Sequence, residues 1–308
     1  ELHAQSNETV GTNNIDDYFN FAKNYAFVDV LSHQGNDFQI TNAFWKKINK
    51  ISSAYNNDIN FVAFPGYEWS GNTSKGGDRN VLYLDENQKI RRSSHALVDD
   101  HSDIESDAPT VKELFRKIGN NKKALMIAHV GGRRANLSIH DGRIEKLIEI
   151  HSCWGTFEWF LFEALKRNYV VGFVANSDGH DGRPGASYPG ASHFSNYGGL
   201  TCILAKKLDR KSIFEALQKR HCYATTGARI FLDIALKDTK RALGGMGDMV
   251  SLSGPSPVLS ISAMGTRLIE RIEIYNKDKI IETFFPFNIH NRQTTYIKIA
   301  WSGARSKG

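Results

Sequence analysis

The chain is poor in cysteine. Of its 308 residues only Cys153, Cys202 and Cys222 are cysteines, and no Cys-x-x-Cys pair occurs. That excludes a disulfide framework and a zinc knuckle. It leaves three core thiols, with Cys222 alternating like a strand residue in His221-Cys222-Tyr223. No apolar run reaches the roughly 20 residues of a membrane span. No strand-turn-helix elbow presents a serine or cysteine nucleophile, and no basic helix or stacking-aromatic motif marks a specific nucleic-acid reader. No signal peptide is visible, but the chain opens inside a motif, without the strand expected before Glu1-Leu2-His3. An excerpt or processed form is therefore expected, and the compartment stays open, with a cytoplasmic one favoured.

What remains has the composition of a globular protein, 41% hydrophobic and 23% charged, long enough for one large domain or a barrel plus a small companion. The formal charge of +6 favours anionic partners without saying anything of the fold.

The first two-thirds alternate strand and helix signals. Residues 26–31, 60–64, 124–127, 146–150, 170–175 and 200–204 read as strands. Between them, 41–56 shows Phe44, Ile48, Ile51 and Tyr55 at helical spacing behind an N-capping Thr41, and Thr110-Val-Lys-Glu113 is a capping box. Residues 156–167 and 209–220 complete the helices. Strands alternating with amphipathic helices imply parallel pairing, in a barrel or doubly wound sheet. From about residue 230 the grammar changes: 231–237, 258–264, 268–275, 279–285 and 294–301 alternate like half-buried strands with no helix between. We expect residues 1–229 to form the α/β body and 230–308 an antiparallel, sandwich-like β domain.

Histidines or carboxylates sit where a strand-like run gives way to a loop in six separate segments: Glu1-Leu-His3, Ser32-His33, Pro65-Gly-Tyr-Glu68, Ala128-His129, Glu149-Ile-His151 and Asp178-Gly-His180. One such histidine is ordinarily a buried core residue. Six in register, delivered by parallel strands to one rim, point to a polynuclear metal centre. Asp178-Gly-His180 is the sharpest signal, an oxygen and an imidazole brought inward by a glycine turn, suited to Zn, Mn or Fe.

In that order the same motifs resemble the PHP (polymerase and histidinol phosphatase) superfamily over about residues 1–230. The strings Phe64-Pro-Gly-Tyr-Glu-Trp-Ser70, Gly76-Gly-Asp-Arg-Asn-Val81, His151-Ser-Cys-Trp-Gly-Thr-Phe-Glu-Trp159 and Gly182-Arg-Pro-Gly-Ala-Ser187 resemble a branch of it with no assigned function and a C-terminal β domain. The resemblance implies a distorted (β/α)7-type barrel holding two or three divalent ions and acting as a phosphoesterase. His3 and Asp178 would bind one ion, Glu68 would bridge it to a second held by His129 and His151, and His33 and His180 would bind a third, with Glu8 as its further ligand. Gln5 replaces the second histidine of the opening motif, so it is either a weak ligand or a contact to substrate or water. Ser32 replaces an acid of the second motif. Two ions are as compatible with these departures as three.

Such ions lower the pKa of a bridging water towards roughly 7, which makes hydroxide at neutral pH. Arginines in expected loops, Arg79, Arg91-Arg92, Arg133-Arg134 and Arg183, are suited to hold an anion in bidentate fashion, with Arg79, Arg133 and Arg183 the preferred clamp. His95, and with similar standing His193, is a candidate acid for the leaving group. His101, His140, His221 and His290 read as structural or exposed. Trp154 and Trp159 are open to core or pocket duty, and Asn36 and Asp37 to shaping the mouth. The expected substrate is a small anionic molecule, a phosphomonoester or phosphodiester. Hydrolysis of a C–N, carboxyl-ester or sulfate-ester bond, or a degenerate glycan- or protein-binding module, are the alternatives.

Overall fold

Asn14 starts the first helix by accepting the Asp17 amide through its side chain, and Ile15, Tyr18, Phe19 and Ala22 then fall on one buried face of α1 (Ile15–Asn24). The fold was obtained as a computed structural model, which describes residues 1–190, 194, 196–238, 241–252 and 257–286. They fall into two compact units, one spanning Glu1–Thr266 and one from Arg267 onward.

In the first unit β1 (Val30–Ser32) is followed by α2 (Asn42–Tyr55), capped by the Thr41 hydroxyl, and by β2 (Val62–Phe64). The single run expected over 60–64 continues past Pro65 as a second strand, β3 (Gly66–Trp69). Proline lacks a backbone N–H and interrupts the ladder. As a result β2 pairs in parallel with β1 while β3 pairs antiparallel with β4 (Arg79–Tyr83). The capping box of α3 (Val111–Ile118) forms in full, Thr110 and Glu113 each bonding the other's amide. There follow β5 (Ala124–Ala128), β6 (Glu145–Ser152), β7 (Gly155–Thr156), α4 (Glu158–Lys166) and β8 (Gly172–Ala175). Strands β3 to β7 form one sheet in that order, with β8 parallel to β6. The unit continues with β9 (Leu200–Ile203), α5 (Arg210–Gln218), β10 (Cys222–Thr225) and a three-stranded antiparallel sheet of β11 (Phe231–Lys237), β12 (Ala242–Gly245) and β13 (Val258–Met264).

The architecture is α/β with open sheets; among the described residues no pairing closes them into a barrel. Residues 1–5 lie extended between the two parallel sections. The Ser32 amide donates to the Glu1 carbonyl and the Gln34 amide to that of Ala4 on one side. On the other the Asp178 amide donates to the His3 carbonyl and the Gln5 amide to that of Gly179. The core packs Phe19, Trp45, Tyr67, Trp69 and Tyr83 on one side of the strands and Phe64, Leu125, Leu147 and Phe214 on the other. Each such side chain contributes about 1.5–3 kcal/mol by burial.

Elements α1, β4, β7 and β12 were not expected from sequence. In the second unit β14 (Ile272–Asn276) and β15 (Lys279–Phe284) form an antiparallel hairpin, the first starting four residues later than the alternation suggests. The expected strand at 294–301, His193 and His290 lie outside the described residues.

Candidate metal centre

The site is assembled where strands end. Pairing with residues 176–179 places His3 beside the turn at Asp178, whose φ of 47° is a left-handed conformation rarely adopted by a non-glycine residue. Glu68 comes from β3 and His129 directly follows β5. One ligand atom from each of His3, Glu68 and His129 lies within 4.8 Å of the others, and all three residues are buried. His3 Nε2 is 3.2 Å from Asp178 Oδ1, which in turn lies 3.5 Å from His180 Nε2. His129 Nε2 is 3.5 Å from Glu68 Oε1.

None of these three approaches uses up the imidazole lone pairs of His3 and His129. His3 Nε2 and both ring nitrogens of His129 are buried with no hydrogen-bond partner. Leaving such groups unpaired costs about 1–3 kcal/mol each. The other His3 nitrogen, Nδ1, faces Glu149 at 3.0 Å, and Glu149 is held by the Asn176 amide at 2.6 Å. A carboxylate behind one histidine nitrogen fixes the tautomer so that the other can meet a cation. Above the cluster, a Cβ on Gly131 would sit 3.2 Å from His129, 3.4 Å from Asp78 and 3.5 Å from Asp178, so glycine keeps that space open.

Four buried carboxylates, Glu68, Asp78, Glu149 and Asp178, surround these two imidazoles. Burial alone would push the His3 imidazole down, but the Asp178 and Glu149 charges override it and hold it well above its ordinary range. At His129, burial and the His3 charge push down, and Glu68 and Asp78 outweigh them. Burial raises Glu68 and Asp178, yet contact with the imidazoles leaves both below the usual carboxylate range. Asp78 goes the other way: burial and the Glu68 charge push it up to about 7. The pit attracts positive charge, and its nitrogen and oxygen donors fit a divalent cation of the Zn, Mn or Fe type.

Not every expected ligand joins. His151 turns away, its nitrogens facing Thr156 Oγ1 at 2.7 Å and the Tyr197 carbonyl at 3.1 Å. His33 faces Ser6 Oγ at 2.9 Å and accepts the Gly35 amide, and burial pushes it down to about 3, so it is neutral. Glu8 reaches His33 only through the Ser6 hydroxyl, which donates to it at 2.7 Å, and pairs with Lys47. Gln5 donates its amide nitrogen to Glu68 Oε2 at 3.3 Å while its oxygen accepts the Thr9 hydroxyl. It therefore orients a carboxylate and offers no oxygen to the cluster.

The expected anion clamp needs correction. Arg133 is at the rim, with Nε 2.8 Å from Asp78 Oδ1 and Nη2 3.5 Å from Glu68 Oε1. Arg79 is not, because successive strand residues face opposite ways. Asn80 pairs with Glu68, so Arg79 points to the other face, fully buried against Glu145 (2.9 Å) and the carbonyls of Gly76, Gly77, Asn136 and Ile139. Arg183 is exposed, and its guanidinium makes no hydrogen bond or ion pair among the described residues. His95, the expected leaving-group acid, is held between two carboxylates. Its nitrogens face Asp107 at 2.5 Å and Asp103 at 3.2 Å in a buried position, which leaves neither free for a substrate. His140 stacks on Tyr169 and His221 faces Asp248, both structural. Trp154 stands over Gly132, and Trp159 lies under the Arg134 guanidinium.

Sequence reasoning gave no role to Glu149 or Asp78, whereas Asn36, expected to shape the mouth, donates its amide to Glu68 Oε2 at 2.7 Å. The segment Glu149-Ile-His151 was singled out for its histidine, but a register shift between Glu149 and His151 lets the carboxylate face His3 while the histidine turns away.

Fold and site together define an α/β protein with a buried histidine–carboxylate cluster suited to a divalent cation. The chain belongs to the family described as protein of unknown function (DUF3604), whose sequence profile matches residues 1–136 and 186–236. It is similar to an uncharacterized protein of Chlamydia pneumoniae, 27% identical over 317 residues that cover 92% of this chain and 48% of the relative. An uncharacterized protein of Chlamydia muridarum is 24% identical with the same coverages. The chain thus spans about half the length of the curated relatives it matches. Among solved structures, a two-domain protein from Bacteroides vulgatus containing a predicted PHP-like metal-dependent phosphoesterase aligns with a TM-score of 0.49 and 13% identity, over 92% of this chain and 93% of that one.

Proposed function

We propose that this protein is a metal-dependent hydrolase of small anionic phosphoesters, with the centre held by His3, Glu68, His129 and Asp178 and by His180 alongside. The observation that carries this reading is the pair of buried imidazoles, His3 and His129, whose unpartnered nitrogens face carboxylates in a pit of negative charge. In the same reading the two parallel sections and residues 1–5 are arcs of a distorted (β/α)7 barrel, and the boundary between the catalytic body and a C-terminal β domain falls at 229/230. Two ions fit better than three, since His33 is spent on Ser6 and Gly35.

When bound, such ions supply a Lewis acid and make water acidic enough to attack at neutral pH. The chain's own residues do the rest. Glu149 and Asn176 hold His3 in one orientation, and Gln5 and Asn36 hold Glu68. Arg133 presents its guanidinium to anionic oxygens at the rim, where a planar donor fork suits a phosphoryl group. Asp78 holds the Arg133 Nε at 2.8 Å and so aims the guanidinium over the rim.

A catalytically silent binding module is the second reading. The Gln5 nitrogen on Glu68 and the turned-away His151 favour it. Purified chain loaded with Mn or Zn, assayed on nitrophenyl phosphate, bis-nitrophenyl phosphate, nitrophenyl sulfate and a nitroanilide, separates the readings. Turnover of the phosphates, lost in His129→Ala and Asp178→Asn, is expected. Turnover of the sulfate or amide alone moves the activity to another bond. Metal uptake without turnover of any of them leaves the binding module.

A further inference from the structure

Beside the cluster lies a pocket of about 390 Å³ whose walls include Phe38, Ser70, Lys75, Ser94, Leu97 and Arg133. Two residues join it to the centre. Arg133 lines the pocket and reaches Glu68 Oε1 at 3.5 Å. The Ser70 hydroxyl accepts at 2.8 Å from the same Asn36 amide that donates to Glu68 Oε2. Asp37 pins the two walls from beneath, accepting the backbone amides of Ser70 and Ser93 and the Ser93 hydroxyl. The pocket is therefore a fixed annex of the site.

Its chemistry is one-sided. No carboxylate lines it. Lys75 makes no ion pair among the described residues, and the Ser94 hydroxyl accepts the Ala96 amide while keeping its own proton to donate. Asn72 and Ser93 also line it, and an apolar wall is supplied by Leu97, Pro109 and the Phe38 ring, over which the Arg133 guanidinium carbon sits at 5.5 Å. A volume near the lower end of ligand pockets suits a small molecule.

The geometry points to this pocket as the leaving-group site, built for a short carbon skeleton that carries a second anionic group. The scissile phosphoryl group would lie toward Glu68 and Arg133, with the second anion between Lys75 and Ser94. The inference rests on the phosphoester reading and narrows its substrate class to doubly anionic small esters.

Calorimetric titration of the full chain, with and without Mn, compares 2-phosphoglycolate with ethyl phosphate, which lacks the carboxylate. Phosphoglycolate is expected to bind at least about tenfold tighter, and Lys75→Glu to bring that ratio close to one, because complementary charge discriminates between ligands. Lys75 is exposed, so the variant folds, which its melting temperature checks. Equal binding of the two esters by the wild type, or a ratio that survives Lys75→Glu, overturns the assignment. The two readings fail separately. A preserved preference with no hydrolysis of nitrophenyl phosphate sinks the hydrolase and keeps the pocket; hydrolysis without preference does the reverse.

Discussion

Replacing His129 by alanine distinguishes a metal ligand from a packed core histidine, because the two roles forecast different results for metal-free protein. A core side chain of this size costs about 2–5 kcal/mol when truncated, through lost packing and the cavity left behind. His129, however, is buried with neither nitrogen hydrogen-bonded and its ring centroid 4.3 Å from that of His3. Removing it relieves about 1–3 kcal/mol per unpaired polar group and the repulsion between two imidazoles that both attract protons. The changes nearly cancel, so chelated His129→Ala should melt within a few degrees of chelated wild type. Metal reverses the comparison. An ion at a hundred times its dissociation constant stabilises the native state by about 2.7 kcal/mol. At roughly 2–4 °C per kcal/mol for a domain of this class, wild type should gain about 5–10 °C. The variant should gain less than about 2 °C. Scanning calorimetry of chelated and Mn- or Zn-loaded samples, with elemental analysis of ions per chain, makes the measurement. Equal metal-induced shifts in both proteins refute the reasoning, as does a chelated variant that loses several kcal/mol.

Glu149→Gln should keep its packing but weaken metal binding about 10–100-fold through the loss of charge behind His3, measured by competition against a chromophoric chelator; unchanged affinity would remove Glu149 from the site. Arg79→Met should cost about 3–5 kcal/mol in urea unfolding, since Glu145 is left charged and buried, whereas Arg133→Ala should raise KM while moving the melting temperature little. Asp37 adds a pH dependence: burial pushes its carboxyl up to about 7, so the folded chain holds a proton that the unfolded chain releases near 4. Its stabilising contribution is then complete below about pH 4 and is lost as pH rises to 7, by up to about 1.4 kcal/mol per pH unit, and Asp37→Asn should flatten that slope in urea titrations.

Much of the fold was legible because its signals are local. The Thr110–Glu113 box and the Thr41 cap form as written, since each needs only a side chain within reach of an amide three residues on. Helix α1 was equally legible from Asn14 and the spacing of Ile15, Tyr18, Phe19 and Ala22, and went unread. Pro65 marks the point where one apolar run becomes two strands in different sheets, but which partner each half takes depends on residues far along the chain. The site divides in the same way. Strand ends named His3, Glu68, His129, Asp178 and His180 because position along a strand sets which rim a residue reaches.

Facing is a different matter from position, and it explains the misses. Gly76-Gly-Asp-Arg-Asn offers an acid and a base side by side, and a loop would let either turn inward. In β4 the pairing of Asn80 with Glu68 fixes the alternation: Asp78 and Asn80 share the Glu68 face, and Arg79 is sent behind the sheet to Glu145. The arginine looked catalytic while the segment read as a loop; as a strand it had to be structural. The same logic shows why Arg133 kept its place. It follows the two glycines after His129, beyond the end of β5, where no ladder dictates its direction and the Asp78 carboxylate can draw it over the rim. An inserted residue between Gly77 and Asp78 therefore tests less than one between Arg79 and Asn80. Only the second exchanges faces within the ladder, removing Asp78 from Arg133 while leaving Glu68 in β3 and His129 just beyond β5.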